Sequence, residues 1–195
     1  MVCESCGELV DAGSSPTPFA VFGLEPSFAL DPALLRARLL ELARRVHPDF
    51  FGGETARRRE LAEQASAQLN AAHQLLADEV RRADWLVTDL GGPRESEERA
   101  MPAEFLQEVL EWNEAIEEAR ESQPGSAERA RLDPLGAGLD EERALRMREI
   151  AEKLSPLPAR RSPALAETRK VLNAVRYLDR ARREIRELRL ALPSG

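Results

Sequence analysis

The sequence predicts an all-α chain in two parts, an N-terminal helical hairpin and a C-terminal three-helix bundle. Three observations lead there. Apolar residues recur at spacings of three and four through most of the 195 residues. Helix breakers collect at Leu90–Glu98, Gln123–Ser126 and Ser155–Pro158, dividing those runs. Helix starts are marked chemically, most clearly at Asp31-Pro32, where a capping carboxylate precedes a proline suited to the first helical position.

Phe19 to Phe22 forms a short helical turn, with Thr17 as cap, Pro18 at the first position and Gly23 as the left-handed stop. Its two phenylalanines are expected to plug the base of the hairpin. The run Pro32–Val46 places Leu35, Leu39, Leu42 and Val46 on one stripe and leaves Arg36, Arg38, Glu41, Arg44 and Arg45 off it, which is a surface helix with one buried face. Pro48 then disfavours helical geometry at His47 and removes a backbone donor, so the chain must turn at His47-Pro48-Asp49 before Phe50-Phe51-Gly52-Gly53. A second helix over Thr55–Leu76 repeats the pattern through Leu61, Ala65, Leu69, Ala72 and Leu76 and can return antiparallel to the first. The hairpin therefore has a polar tip.

Periodicity stops at Leu90–Glu98, giving expected segments 1–15, 16–92, a linker 93–102 and a domain 103–195. Beyond the linker, helices are expected over Ala103–Arg120, Asp140–Leu154 and Pro163–Leu190, while Arg129–Gly138 yields no clear reading. In the first of these, Phe105, Val109, Trp112 and Ile116 make a core stripe. Leu106 and Leu110 sit about a hundred degrees round the helix, bordered by Glu111 and Glu114. That second strip can hold a partner, or it can widen the core face. The same helix carries Glu104, Glu108, Glu111, Glu114, Glu117, Glu118 and Glu121, and the last helix is rich in arginine, so opposite signs favour packing these two together.

Composition is that of a charged helical adaptor, with 43% hydrophobic, 32% charged and 5% aromatic residues and a net charge of -7. An acidic balance argues against nucleic acid as the main partner, since phosphate contacts need a basic footprint. No apolar run reaches the roughly eighteen residues of a membrane span, and the start lacks a secretory pattern, so a cytoplasmic location is expected.

Residues from about Phe19 to Leu90 resemble a J-domain, the module by which DnaJ-type cochaperones activate DnaK-class ATPases. The signature is His47-Pro48-Asp49 between two amphipathic helices; by chance the tripeptide is expected on the order of once in a hundred chains of this length. Phe19-Ala20-Val21-Phe22-Gly23-Leu24 and Arg82-Ala83-Asp84-Trp85-Leu86 look like HscB, the J-protein of iron–sulfur cluster assembly, and the C-terminal region matches the size and layout of its second domain. The resemblance implies an L-shaped protein with a hydrophobic interdomain contact through Trp85, Leu86 and Leu90; a flexible Gly91-Gly92 joint is the competing picture. It implies two partners. A DnaK/HscA-class chaperone would meet His47, Pro48, Asp49, Arg36, Arg38, Arg44 and Arg45, with Asp49 facing a partner arginine and the basic helix an acidic patch. An IscU-type scaffold would meet Leu106, Gln107, Leu110, Glu111, Glu114, Arg176 and Tyr177. Phe50 stands where J-domains often carry lysine, and Gln107 where some relatives carry an apolar residue.

Cys3 and Cys6 form a CxxC able to give two thiolates to zinc, although a closed structural site usually has four ligands. Some HscB relatives carry two such pairs, which leaves three readings: a start downstream of a first pair, a site shared between chains, or a thiol pair without metal. His73 reads as a packed or surface residue. No nucleophile, phosphate loop or metal set accompanies His47 and Asp49, so the chain reads as a non-enzyme. The rival function is a general J-domain cochaperone serving unfolded or other protein clients.

Overall fold

The computed structural model describes residues 16–46, 56–123 and 125–190, and every element among them is helical. Tertiary contacts divide the chain into two compact units between Arg82 and Ala83. That division falls before the Gly91-Gly92-Pro93 break, so Ala83–Asp89 pack with the second unit.

In the first unit, helix α1 (Pro18–Val21) is capped as its residues dictate: the Thr17 hydroxyl accepts from the Ala20 N–H at 3.1 Å, and Gly23 takes φ +61°. Phe19 and Phe22 are buried, and the Phe22 ring lies 6.3 Å from that of His73. Helix α2 (Pro32–Val46) starts under Asp31, whose carboxylate accepts from the Ala33 N–H at 2.9 Å. It buries Leu35 and Val46 against α3 (Ala56–Ala77), with Leu39 and Leu42 half-buried. The buried seam of α3 runs through Ala62, Ala65, Leu69, Ala72 and Leu76; Ala62 takes the place expected for the half-buried Leu61. Small residues in that seam let the helices approach closely.

Helix α4 (Glu79–Asp89) opens with Asp78 accepting from the N–H groups of Val80 and Arg81 at 2.9 and 3.0 Å. Arg82 is buried. Its Nε donates to the Phe28 carbonyl at 2.9 Å, its Nη1 donates to the Leu76 carbonyl, and the guanidinium sits 5.2 Å from the Phe28 ring centre. Desolvation pushes this guanidinium below its ordinary value, while Glu79 and Asp78 act in the opposite sense.

The second unit is a three-helix bundle of α5 (Ala103–Glu121), α7 (Leu132–Lys153) and α8 (Ala164–Leu190), with a one-turn α6 (Ala127–Ala130) between the first two. Cross-helix contacts fix the directions. Arg143 meets Asp179 and Arg182 meets Asp140, so α7 and α8 are antiparallel. Asn113 meets Tyr177 and Arg120 meets Glu184, so α5 and α8 are parallel. Phe105, Val109, Ile116, Leu132, Leu139, Leu178 and Ile185 fill the core, with Trp112 and Tyr177 packed against it. The rings of Trp112 and Tyr177 approach Phe105 edge-on at 5.4 and 5.9 Å.

Two expectations require correction here. Helix α7 begins at Leu132, not Asp140. Gly136 and Gly138 weaken helical propensity, but Leu132 and Leu139 bury in the core, and Gly136 leaves room for Arg189: a Cβ there would lie 2.8 Å from its guanidinium. Nor do the α5 glutamates pair with the α8 arginines. The ion pair between these helices runs the other way, from Arg120 of α5 to Glu184 of α8. The paired α8 arginines turn elsewhere: Arg182 to Asp140 of α7 and Asp179 of its own helix, Arg169 and Arg176 to Asp84, and Arg176 also to Glu95.

The segment expected as a linker is tied to α8. Arg169 Nε donates to the Pro93 carbonyl at 2.8 Å, and Asn173 Nδ2 donates to the carbonyls of Glu98 and Ala100, each at 2.9 Å. Gly92 is packed so closely that a Cβ would lie 2.7 Å from Leu165 and 2.9 Å from Val87. Gly91-Gly92 is thus a turn built into this unit.

Phe105 is central and fully buried. Phe105→Ala is expected to destabilise the second unit by about 3–5 kcal/mol, read as an earlier Trp112 fluorescence transition in urea.

Candidate functional site

The His47-Pro48-Asp49 corner and Phe50 lie outside the described residues, as do Cys3 and Cys6. Helices α2 and α3, which lead to and from the corner, are described up to Val46 and from Ala56. On α2 the four predicted arginines separate into two rows. Arg38, Glu41 and Arg45 form one, at spacings of three and four, with Glu41 only 2.7 Å from Arg45 and 3.9 Å from Arg38. Arg36, Leu40 and Arg44 form the other, one helical turn apart. Among the described residues Arg36 and Arg44 have no ion pair, and Leu40 between them is 55% exposed. Two arginines share one carboxylate in the first row, so the larger excess of positive charge on α2 lies in this second row.

In the second unit, Leu106 and Leu110 are 46% and 66% exposed, while Phe105 and Val109 beside them are buried. The leucine strip is outside the core. It continues along the same face to Asn113, whose Oδ1 accepts from the Tyr177 hydroxyl at 2.5 Å. Tyr177 leans on Phe105 with its ring and so closes one side of the strip. Gln107, Glu111 and Glu114 are exposed along the other side. The residues nominated from sequence on α5 and Tyr177 on α8 are thus brought to one surface.

Arg176 is brought near, but it is engaged within the chain. Its guanidinium lies 3.1 Å from Asp84 Oδ2 and pairs with Glu95. Asp84 is shared: its other oxygen lies 2.5 Å from Nη1 of Arg169, a side chain with no solvent exposure. The chain Arg169–Asp84–Arg176–Glu95 fixes the α8 side of the surface. Sequence reasoning passed over Asp84, Arg169 and Asn173, whose partners lie 73 to 92 residues away. Their only signal was Asp84 within the Arg82-Ala83-Asp84-Trp85 run.

Arg146 supports the opposite edge of α5. It stands 5.7 Å from the Phe105 ring centre and pairs with Glu142 at 2.6 Å and Glu149 at 3.4 Å. Desolvation lowers its affinity for a proton, but hydrogen bonds and charge from the two glutamates outweigh it and hold the group above its ordinary value. Among the described residues no group of three or more His, Cys, Asp or Glu is placed to hold a metal, and no helix is long and apolar enough to cross a membrane.

Residues 101–186 match the family model described as the HSCB C-terminal oligomerisation domain. A co-chaperone protein HscB homolog of Shewanella baltica is 35% identical over 139 residues, spanning 70% of this chain and 78% of the relative. A homolog of the same name from Vibrio vulnificus is 41% identical over 101 residues, spanning 51% of this chain and 59% of the relative. Among solved structures, chaperone HscB from Vibrio cholerae superposes with a TM-score of 0.72 at 24% identity, over 89% of this chain and 98% of that one. Human co-chaperone protein HscB superposes at 0.78 and 22% identity, over 97% and 90%. These structural likenesses establish the all-α fold.

If the leucine strip lies outside the core, its removal should leave folding intact. Leu106→Ala and Leu110→Ala are each expected to change unfolding free energy by no more than about 0.5 kcal/mol, against roughly 1 kcal/mol or more for Val109→Ala. Urea denaturation checks the contrast.

Proposed function

The chain belongs to the HscB co-chaperone family, and on that premise we propose that it stimulates the ATPase of a DnaK/HscA-class chaperone and delivers an IscU-type scaffold to it during iron–sulfur cluster assembly and transfer, in the cytoplasm. The observation that carries the delivery step is the strip Leu106–Leu110 beside Tyr177, apolar area left in solvent by a domain whose core is filled without it. The bordering carboxylates Glu111 and Glu114 would select a partner with positive charge along one margin.

ATPase stimulation is assigned to His47-Pro48-Asp49. In this reading the Asp49 carboxylate meets an arginine of the chaperone, while the unpaired row Arg36–Leu40–Arg44 meets an acidic patch. The protein performs no bond chemistry itself; it favours the chaperone state that hydrolyses ATP and closes on its client. Holding the scaffold at the same time raises its local concentration at the chaperone's peptide site, and such tethering multiplies apparent affinity by about a hundredfold or more.

His47→Gln and Asp49→Asn are expected to abolish stimulation, measured as steady-state ATP turnover of the cognate chaperone with and without scaffold. Leu106→Ala, Leu110→Ala and Tyr177→Ala should each weaken scaffold binding by roughly 1–2 kcal/mol, read by calorimetric titration; unchanged affinity in all three would favour a general client-binding role. Arg36→Glu with Arg44→Glu should slow chaperone association more than the same changes at Arg38 and Arg45, because Glu41 already offsets part of that pair's charge. Stopped-flow association at low and high salt makes the comparison.

A further inference from the structure

Beside the leucine strip, on the far side of Tyr177, the second unit has an open basin of about 590 Å³ lined by Glu95, Ser96, Arg99, Met101, Asn173, Arg176, Tyr177 and Arg180. Its floor is apolar. Met101 and Tyr177 are half-buried and pack on the core. Its wall is cationic, with three guanidiniums against the single carboxylate of Glu95, and that carboxylate is already paired with Arg176. Arg99 and Arg180 are exposed and have no ion pair among the described residues. Arg183, one turn beyond Arg180 on the same face of α8, is exposed and likewise unpaired among them.

The rim is held in place. Asn173 donates to the carbonyls of Glu98 and Ala100 and Arg169 to that of Pro93, so the segment carrying Arg99 is fixed on α8 before any partner arrives. A fixed pair of unneutralised cations over an apolar floor is unusual in a chain of net charge -7. The α5 glutamates, which could have supplied counter-charge, make no ion pair with an α8 arginine among the described residues.

We propose that this basin is a docking site for an acidic segment of the protein partner. The segment lays an aliphatic or aromatic side chain on Met101 and Tyr177 and sets two carboxylates opposite Arg99 and Arg180. The inference rests on the reading of Leu106, Leu110 and Tyr177 as the partner-binding strip, and it extends that surface across Tyr177. The whole surface then carries opposite charges on its margins, carboxylates on α5 and guanidiniums on α8. A partner helix lying along it needs a basic edge toward Glu111 and Glu114 and an acidic edge toward Arg99 and Arg180. Reversed, it would set like charges together on both sides. Like-charge repulsion from the α5 margin disfavours a polyanion such as RNA, which has no basic edge to offer.

The test uses the full chain and the purified IscU-type scaffold from the same genome as probe. Affinity is measured at about 50 mM and about 300 mM salt for wild type, Arg99→Glu/Arg180→Glu, the milder Arg99→Gln/Arg180→Gln, and Leu106→Ala/Leu110→Ala. Circular dichroism checks folding of each. The inference expects the charge-reversed variant to bind about tenfold or more weakly at low salt, the glutamine variant to fall between it and wild type, and both deficits to shrink at high salt. The leucine variant should lose affinity at both. If the leucine variant loses binding and both arginine variants match wild type in affinity and salt dependence, the basin is overturned and the apolar strip stands. If the leucine variant and both arginine variants all bind like wild type, the strip fails and the basin with it.

Discussion

The face of the second unit formed by α4, α8 and the segment before α5 depends on a guanidinium removed from water. Arg169 is fully buried, donates to the Pro93 carbonyl and lies against Asp84. A buried charge is tolerated only with compensation close by, and removing one member of such a pair commonly costs about 3–5 kcal/mol. That penalty is what makes the arrangement specific. Because Asp84 cannot leave Arg169 without stranding it, the tail of α4 is held to α8, and Arg176 finds its second carboxylate in a fixed place. Glu95 follows through Arg176, and Arg99 is carried on the same short segment.

Most of the fold was legible because its signals are local. Asp31 and Thr17 cap as their chemistry requires, Gly23 adopts the conformation that favours glycine, and the stripes of α2 and α5 follow from spacing alone. The early start of α7 was not legible, because its two glycines argue against helix until the Arg189 guanidinium beside Gly136 is known. Charge counting along α5 and α8 also misled. A tally of signs on two helices does not say which faces meet, and the glutamates occupy the side of α5 that faces solvent.

The site divided in the same way. Leu106 and Leu110 could be placed off the core stripe by helical phase, yet phase alone left them either as core or as surface; their exposure decides for surface. His47-Pro48-Asp49 stands out in the sequence as three adjacent letters, and it lies outside the described residues. Asp84, Arg169 and Asn173 offered no such pattern. Their significance comes from contacts across many residues, and an arginine that anchors a loop has the same sequence signature as one that only faces water.

Affinity and orientation are assigned to different atoms on this surface, and physical chemistry gives a reason. Leu110 is two-thirds exposed, so a partner that covers it gains apolar burial that the fold has not already used. That gain is almost indifferent to direction, since a leucine accepts any apolar neighbour of suitable shape. Exposed charges have the complementary property: each contributes about 0–1 kcal/mol in water, but changes sign when the partner is turned round. In the proposed reading, carboxylates on one margin and guanidiniums on the other would convert a sticky strip into one that accepts a helix in a single orientation. An adaptor that must present its cargo to a second protein gains more from that discrimination than from a larger apolar patch, which would bind more tightly and align nothing.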